Sequence, residues 1–181
     1  ERLGQYQRSI QDNDKAIQLH PNEAILYNNR GYTYGNLGEY QLAIQDYDKA
    51  IQLDPNYAMA YFNRGHDYDA QGEYQLAIQD YDKAIQLDPN DALAYNNRGL
   101  SYSDLGQHQR AIEDYDIGIS LFPYDPLDYH RRGNSYDDLG QYQRAIEDHD
   151  KAIELDPNDA LAYHNRGSSY SDLGQYQRAV E

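Results

Sequence analysis

Arginine and aspartate side chains recur along this chain at positions where they could form ion pairs between helices. Each arginine of the set follows a tyrosine by three residues and directly precedes a glycine, which places it near the packed face of a predicted helix. A guanidinium group there requires a carboxylate partner, because an unpaired buried charge is strongly unfavourable. We therefore hypothesise a ladder of arginine–aspartate ion pairs. Its arginines are Arg30, Arg64, Arg98, Arg132 and Arg166, and its aspartates are Asp12, Asp46, Asp80, Asp114 and Asp148.

A second aspartate column could also serve the same arginines. Its members lie two residues further along, at Asp14, Asp48, Asp82, Asp116 and Asp150. The alternative is that each arginine lays its stem along a half-buried surface and keeps its charge in water. The cost of burying an unpaired charge favours the ladder.

Asparagine forms a column of its own, at Asn29, Asn63, Asn97 and Asn165. An asparagine amide both donates and accepts hydrogen bonds, so amides at regular intervals could bind the backbone of an extended peptide with little demand on its sequence. The alternative is that these amides solvate an inner surface or bond neighbouring helices. Peptide binding is the interpretation we favour.

Catalytic and metal-binding chemistry is not indicated by the remaining polar residues. The carboxylates occur as repeated columns, which is typical of solvated helix faces. His66, His130 and His164 suggest a metal or pH-sensitive site, but equivalent atoms of adjacent helices lie about 10 Å apart. The spacing of strong metal motifs is absent. We therefore predict no enzyme, no metal and no cofactor.

The elements that position these columns repeat with a period of 34 residues, which is marked by Pro21, Pro55, Pro89, Pro123 and Pro157. Self-similarity at this period predicts stacked copies of one supersecondary unit. We expect a single array over residues 1–181. It comprises a partial repeat at 1–23 (mainly a second helix), full repeats at 24–57, 58–91, 92–125 and 126–159, and a partial repeat at 160–181 (mainly a first helix).

Each repeat predicts two antiparallel helices. In the repeat 24–57, apolar and small residues recur at helical spacing in both halves, and Gly38 suits the left-handed position that ends a helix. Gly31 would sit within the first helix, where glycine is unfavourable, so we expect it to allow close approach to the small Ala43 of the second helix. Side chains expected to cap the first helices are Asn22, Asn56, Asn90 and Asn158.

These units resemble the tetratricopeptide repeat (TPR) family, whose signature runs Trp-x2-Leu-Gly-x2-Tyr, Ala-x3-Phe and then Pro. The matching residues of the first full repeat are Tyr27, Arg30, Gly31, Tyr34, Ala43, Tyr47 and Pro55. The arginine departs from the family, which prefers an aliphatic residue there. The resemblance implies an all-α fold, a right-handed superhelical α-solenoid of helix hairpins.

The resemblance also implies that the first helices line a concave groove that binds peptides. The residues expected in this groove are Asn28, Asn29, Tyr32, Phe62, Asn63, His66, Asn96, Asn97, His130, Arg131, Asn134, His164 and Asn165, with an acidic rim of Asp69, Asp104, Asp138 and Asp172 and an apolar rim of Ile25, Met59, Leu93, Leu127 and Leu161. Arg131 is the one basic residue of this set, so the family's basic clamp for C-terminal carboxylates is not expected. The acidic rim predicts a partner with basic residues, bound in a salt-dependent way.

Composition narrows the classes of partner. The formal net charge is −16, which disfavours nucleic acid and anionic membranes. No apolar run reaches membrane-spanning length, and no signal peptide is recognisable, so we expect a cytoplasmic protein. The absence of cysteine excludes disulfides and thiolate metal sites.

Two further functions stay open beside the peptide-binding scaffold. The chain begins and ends within a repeat, so it is interpreted as a fragment whose unpaired terminal helices could dock head to tail and form a homo-oligomer. A self-assembling structural module is therefore one alternative, and a regulatory arm of a larger protein is the other.

Overall fold

The structure, a computed structural model, describes residues 2–175, and within them the chain is helical with short connections and without strands. The helices are α1 (Arg2–Leu19), α2 (Ala24–Asn36), α3 (Tyr40–Leu53), α4 (Ala58–Ala70), α5 (Tyr74–Leu87), α6 (Ala92–Asp104), α7 (His108–Leu121), α8 (Pro126–Asp138), α9 (Tyr142–Leu155) and α10 (Ala160–Asp172). The all-α class is confirmed. The predicted start of a second helix in the last partial repeat lies outside the described residues.

The chain divides into two compact units, Glu1–Pro89 and Asn90–Glu181. In the first unit, α2 packs on α3 and α4 packs on α5 as helix hairpins, and α1 packs on α2. In the second unit, α6 pairs with α7 and α8 with α9, and α10 packs on α9. Within each unit, consecutive first helices also touch, so their side chains share one surface. That the whole chain forms one array stays a prediction.

Close approach within each hairpin depends on a glycine of the first helix, as predicted. A Cβ added to Gly31 would lie 2.8 Å from a ring carbon of Tyr47 and 3.1 Å from the carbonyl oxygen of Ala43. The first distance is shorter than real Cβ contacts and the second is tighter than most of them, and Tyr47 and Ala43 are both fully buried. The hairpin α8–α9 differs, because the residue that a Cβ on Gly133 would meet is His149.

The structure confirms one sequence-based prediction about the helix ends and contradicts another. Gly38 has φ of +77°, which confirms the left-handed turn after α2. The predicted asparagine caps are wrong. The residue preceding α4 is Tyr57, so Asn56 lies one residue too early for its side chain to reach the first free N–H groups. Aspartates take this role in the second unit, where Asp91 accepts from the N–H groups of Leu93 and Ala94.

Arginine–aspartate pairs join the helices within each unit. Arg30 of α2 donates from Nε and Nη2 to both carboxylate oxygens of Asp46 on α3, at 2.7 and 2.6 Å, and from Nη1 to Asp14 on α1, at 2.6 Å. The hydrogen bond to Asp46 raises the pKa of Arg30 above its ordinary value. Equivalent pairs join Arg64 to Asp80 and Asp48, Arg98 to Asp114, Arg132 to Asp148 and Asp116, and Arg166 to Asp150.

Within residues 2–175, no helix combines the length and the apolar character that a membrane crossing requires.

Candidate functional site

The first helices form a polar surface in each unit, from α2 and α4 in the first unit and from α6, α8 and α10 in the second. These surfaces, together called the first-helix face, carry the residues that the sequence assigns to a groove. Their exposure differs widely. Exposed members are Asn29, Tyr32, His66, Asp104, Asp138, His164 and Asp172; half-buried members are Phe62, Asp69, Asn97, Arg131, Asn134 and Asn165; buried members are Asn28, Asn63, Asn96 and His130.

The four buried residues correct the sequence-based assignment, because their side chains are not open to a peptide. Asn63 donates to the amide oxygen of Asn28 at 3.0 Å, between α4 and α2. Asn96 donates to the carboxylate of Asp128 at 2.6 Å, between α6 and α8. These amides therefore bond neighbouring helices, which is the alternative left open above.

His130 is the fourth buried residue and belongs to a similar contact. Its Nε2 lies 3.0 Å from Asn165 Nδ2, which also donates to Asn134 at 2.8 Å. Burial, and next the neighbouring His149, lower the pKa of His130 below its ordinary value. Residues 2–175 hold no cluster of three histidine or carboxylate side chains that could bind a metal ion.

A groove on the first-helix face of the second unit lies between α8 and α10. It encloses about 340 Å³ and is lined by Asn134, Asp137, Asp138, Asn165, Ser168 and Asp172. Four of these residues are in the predicted set, and all six are polar. The surface can offer amides and carboxylates to a bound segment.

At this groove, a serine, an aspartate and a histidine form a hydrogen-bonded network in which Asp137 Oδ1 and His149 Nδ1 have no partner. Asp137 accepts a hydrogen bond from Ser169 Oγ at 2.8 Å and lies 3.2 Å from His149 Nε2. His149 is fully buried. The serine donates to the carboxylate and not to the imidazole, so the imidazole is not placed to remove its proton as a nucleophilic mechanism requires. The network is a packing element that joins α8, α9 and α10.

The first unit has a different cavity at the corresponding place between α2 and α4. Its volume is about 260 Å³. Aromatic rings supply much of its wall, and the lining residues are Tyr32, Gly35, Asn36, Tyr40, Tyr47, Phe62, Asn63, His66 and Asp67. The residues predicted from the sequence include Tyr32, Phe62, Asn63 and His66, but not Asp67.

Asp67 is the most unusual residue of this cavity. Its side chain is 4% exposed, and its Oδ2 is buried without a hydrogen-bond partner. Its Oδ1 lies 3.4 Å from Nδ1 of the exposed His66. The other repeats have a hydroxyl group at this position, which bonds the carbonyl four residues earlier; these residues are Thr33, Ser101, Ser135 and Ser169. The single carboxylate in a hydroxyl column is the signal that could have identified it.

Comparison with protein families gives matches over most of the chain. A TPR repeat model matches residues 65–106 and 133–174. Two tetratricopeptide repeat models match residues 24–57 and 92–125, and residues 46–79. A comparison with curated protein sequences gives no match.

Solved structures of similar fold include three that cover most of this chain. MamA is 29% identical over 87% of this chain and 86% of its own, with a TM-score of 0.83. YrrB, described as a TPR protein with an unusual peptide-binding site, is 25% identical over 93% of this chain and 87% of its own, with a TM-score of 0.82. PilF of Pseudomonas aeruginosa is 19% identical over 99% of this chain and 82% of its own, with a TM-score of 0.86, and that likeness bears on the fold alone.

Proposed function

The chain belongs to the tetratricopeptide repeat family, and from this premise we propose that it is a protein-interaction scaffold whose first-helix face binds an extended, basic segment of a partner protein. One of the similar structures, that of YrrB, is described as a TPR protein with an unusual peptide-binding site, which supports a peptide-binding role here. The proposal goes beyond these likenesses in naming the surface and the charge of the partner.

The observation that carries the proposal is the acidic character of the exposed first-helix face. Asp104, Asp138 and Asp172 end the first helices α6, α8 and α10, and all three are exposed. The net charge of −16 adds a long-range attraction for cations. A basic segment would gain affinity and fast association from these charges.

Apolar and amide groups flank the carboxylates and could bind the rest of an extended segment. One apolar side chain near the start of each first helix is 46–60% exposed; the five are Ile25, Met59, Leu93, Leu127 and Leu161. The accessible Asn29 and the half-buried Asn97 retain amides that suit a peptide backbone. The surface therefore suits a segment that carries both basic and apolar residues.

Fluorescence anisotropy with labelled peptides tests the proposal. We expect a lysine-rich peptide to bind and a peptide of equal length with glutamine at each lysine to bind at least about tenfold more weakly. Raising the salt concentration should lower the affinity of the protein for the lysine-rich peptide, because exposed charges are screened over about 8–10 Å at 0.1–0.15 M salt. Equal affinity for both peptides, or no binding by either, would overturn the proposal.

Matched charge variants test the surface. Replacing Asp104 and Asp138 by asparagine should lower the affinity for the lysine-rich peptide. Replacing Glu113 and Glu147 by glutamine removes the same charge from the second helices α7 and α9, where both are exposed, and should change affinity much less. The opposite order would place the partner on the second helices.

Self-association is a second candidate, favoured by apolar exposure on α10. Leu161 is 57% exposed and Tyr163 is 44% exposed, whereas the equivalent Tyr129 is 9% exposed. A second copy that packed there would bury this surface. Light scattering over a concentration series should then show a mass above that of the 21.0 kDa monomer, and a constant monomer mass would exclude it.

A further inference from the structure

The cavity between α2 and α4 has the composition of a site for a cation. We infer that it is an anchor pocket for one lysine or arginine side chain of the bound segment, with Asp67 as the charge partner and the surrounding aromatic rings as its walls. This inference rests on the proposed function and names what the first unit would contribute to it.

Asp67 gives the first reason. A carboxylate oxygen that is buried without a partner is unfavourable, because it has lost its hydrogen bonds to water and has formed no other. Its Oδ2 is in that state, and the weak contact of Oδ1 with His66 is the bond that the structure gives to its side chain. A cationic donor in the cavity would supply the missing interaction.

The walls give the second reason. Tyr32, Tyr40, Tyr47 and Phe62 all line the cavity. Aromatic faces attract cations through their negative π-surfaces, and they also pack against the apolar stem of lysine or arginine. Tyr32 is 58% exposed and stands at the entrance, whereas Tyr47 is 1% exposed and forms the base. A lysine or arginine side chain suits this cavity, because its apolar stem can pack against the aromatic rings while its cationic end reaches the buried carboxylate of Asp67.

The space itself gives the third reason, because it depends on a glycine that the other repeats lack. A Cβ added to Gly35 would lie 2.5 Å from Asp67 Oδ2 and 3.0 Å from its Cγ. The equivalent residues of the later repeats are Asp69, Ser103, Asp137 and Ser171. The first unit therefore combines two departures from the repeat pattern, a carboxylate and the glycine that makes room for it. Repeat drift at one position would not produce this match.

Calorimetric titration of the whole chain with the lysine-rich peptide tests the pocket. Asp67→Asn keeps the shape of the side chain and removes its charge. Asp67→Ser introduces the residue that three other repeats have at this position. Gly35→Ala fills space and leaves every charge in place. The control is Glu73→Gln, an equal loss of charge at the exposed turn before α5.

We expect both Asp67 variants to bind the peptide about tenfold more weakly than the native chain, Gly35→Ala to bind it several-fold more weakly, and the control to differ by less than about twofold. Circular dichroism should show unchanged helicity in each variant. If the native chain binds the peptide and the Asp67 variants bind it equally well, the pocket is wrong and the proposed function stands. If the native chain does not bind it, the proposed function fails and the pocket fails with it.

Discussion

The two units differ in how a carboxylate is placed between two neighbouring first helices. In the second unit, Oδ2 of Asp137 lies within hydrogen-bond distance of Ser169 and His149, and its Oδ1 has no hydrogen-bond partner. In the first unit, three repeats earlier in the sequence, the corresponding residues are Gly35, Asp67 and Tyr47. The carboxylate has moved to the facing helix, its Oδ2 has no hydrogen-bond partner, and an aromatic-lined cavity lies beside it.

The comparison teaches how an array of near-identical repeats can acquire a local site. The arginine–aspartate pairs and the glycine contacts are common to both units, and they keep the hairpin geometry constant. Because the hairpin geometry is constant, exchanging a few residues between facing helices replaces a carboxylate bonded to a serine and a histidine by a carboxylate beside an aromatic cavity. A pocket confined to one place in such a chain is therefore sought where a column is broken, and the repeated columns supply the general binding surface.

Among the substitutions that test this comparison, removing the side chain of His149 should change the stability of the chain most. We expect His149→Ala to lower the free energy of unfolding by about 3 kcal/mol, because it leaves a cavity at a fully buried position and takes a partner from Asp137. His164→Ala, at an exposed position of α10, should change it by less than about 0.5 kcal/mol. Urea unfolding followed by circular dichroism measures both free energies of unfolding. Equal decreases for the two variants would contradict a stabilising role for the buried contact between His149 and Asp137.

The same substitution at the two carboxylates should act in opposite directions. Asp137→Ser leaves the buried His149 without its partner and should destabilise the free chain by about 1–3 kcal/mol. Asp67→Ser removes an unsatisfied carboxylate and allows the bond to the carbonyl of Asn63 that other repeats make, so we expect it to stabilise the free chain by about 1 kcal/mol. Thermal unfolding of both variants measures these changes in stability, and the melting temperature should fall for Asp137→Ser and rise for Asp67→Ser. A loss of stability in both would show that Asp67 is satisfied in solution.

Acidification should have a smaller effect on peptide binding at the first-unit pocket. The hydrogen bond to Asp67 raises the pKa of His66, and partial burial opposes that shift. Below this raised pKa the imidazolium lies beside Asp67 and competes with a bound lysine, so affinity for the lysine peptide should fall a few-fold as the pH is lowered through it. His66→Asn should flatten the pH profile, while His164→Asn should leave it unchanged. A profile that His66→Asn does not alter would contradict this role.

The sequence was sufficient for the features that are shared by every repeat. The 34-residue period predicts the hairpins, the glycine beside Tyr47 predicts close approach, and an arginine on a packed face predicts a carboxylate partner. In each case one physical cost, a steric clash or an unpaired charge, recurs in every copy and leaves few solutions.

The sequence was insufficient where two environments produce the same pattern. An asparagine facing a groove and an asparagine bridging two helices have the same helical spacing, so the burial of Asn63 and Asn96 could not be read from position alone. Asn56 was misplaced by one residue, and helix boundaries are uncertain at that scale. Asp67 was missed because a single departure from a column looks like drift until Gly35 is seen beside it.

The most direct test of the central claim is where a basic segment lies on the protein. A nitroxide-labelled lysine-rich peptide, titrated into the isotopically labelled chain, broadens the NMR signals of nearby backbone amides. We predict the strongest broadening in the first helices, with α4 beside Asp67 among them, broadening also in α3, whose Tyr40 and Tyr47 line the pocket, and the sharpest signals in the second helices α5, α7 and α9. Broadening confined to the second helices, or no broadening at saturating peptide, would contradict the account.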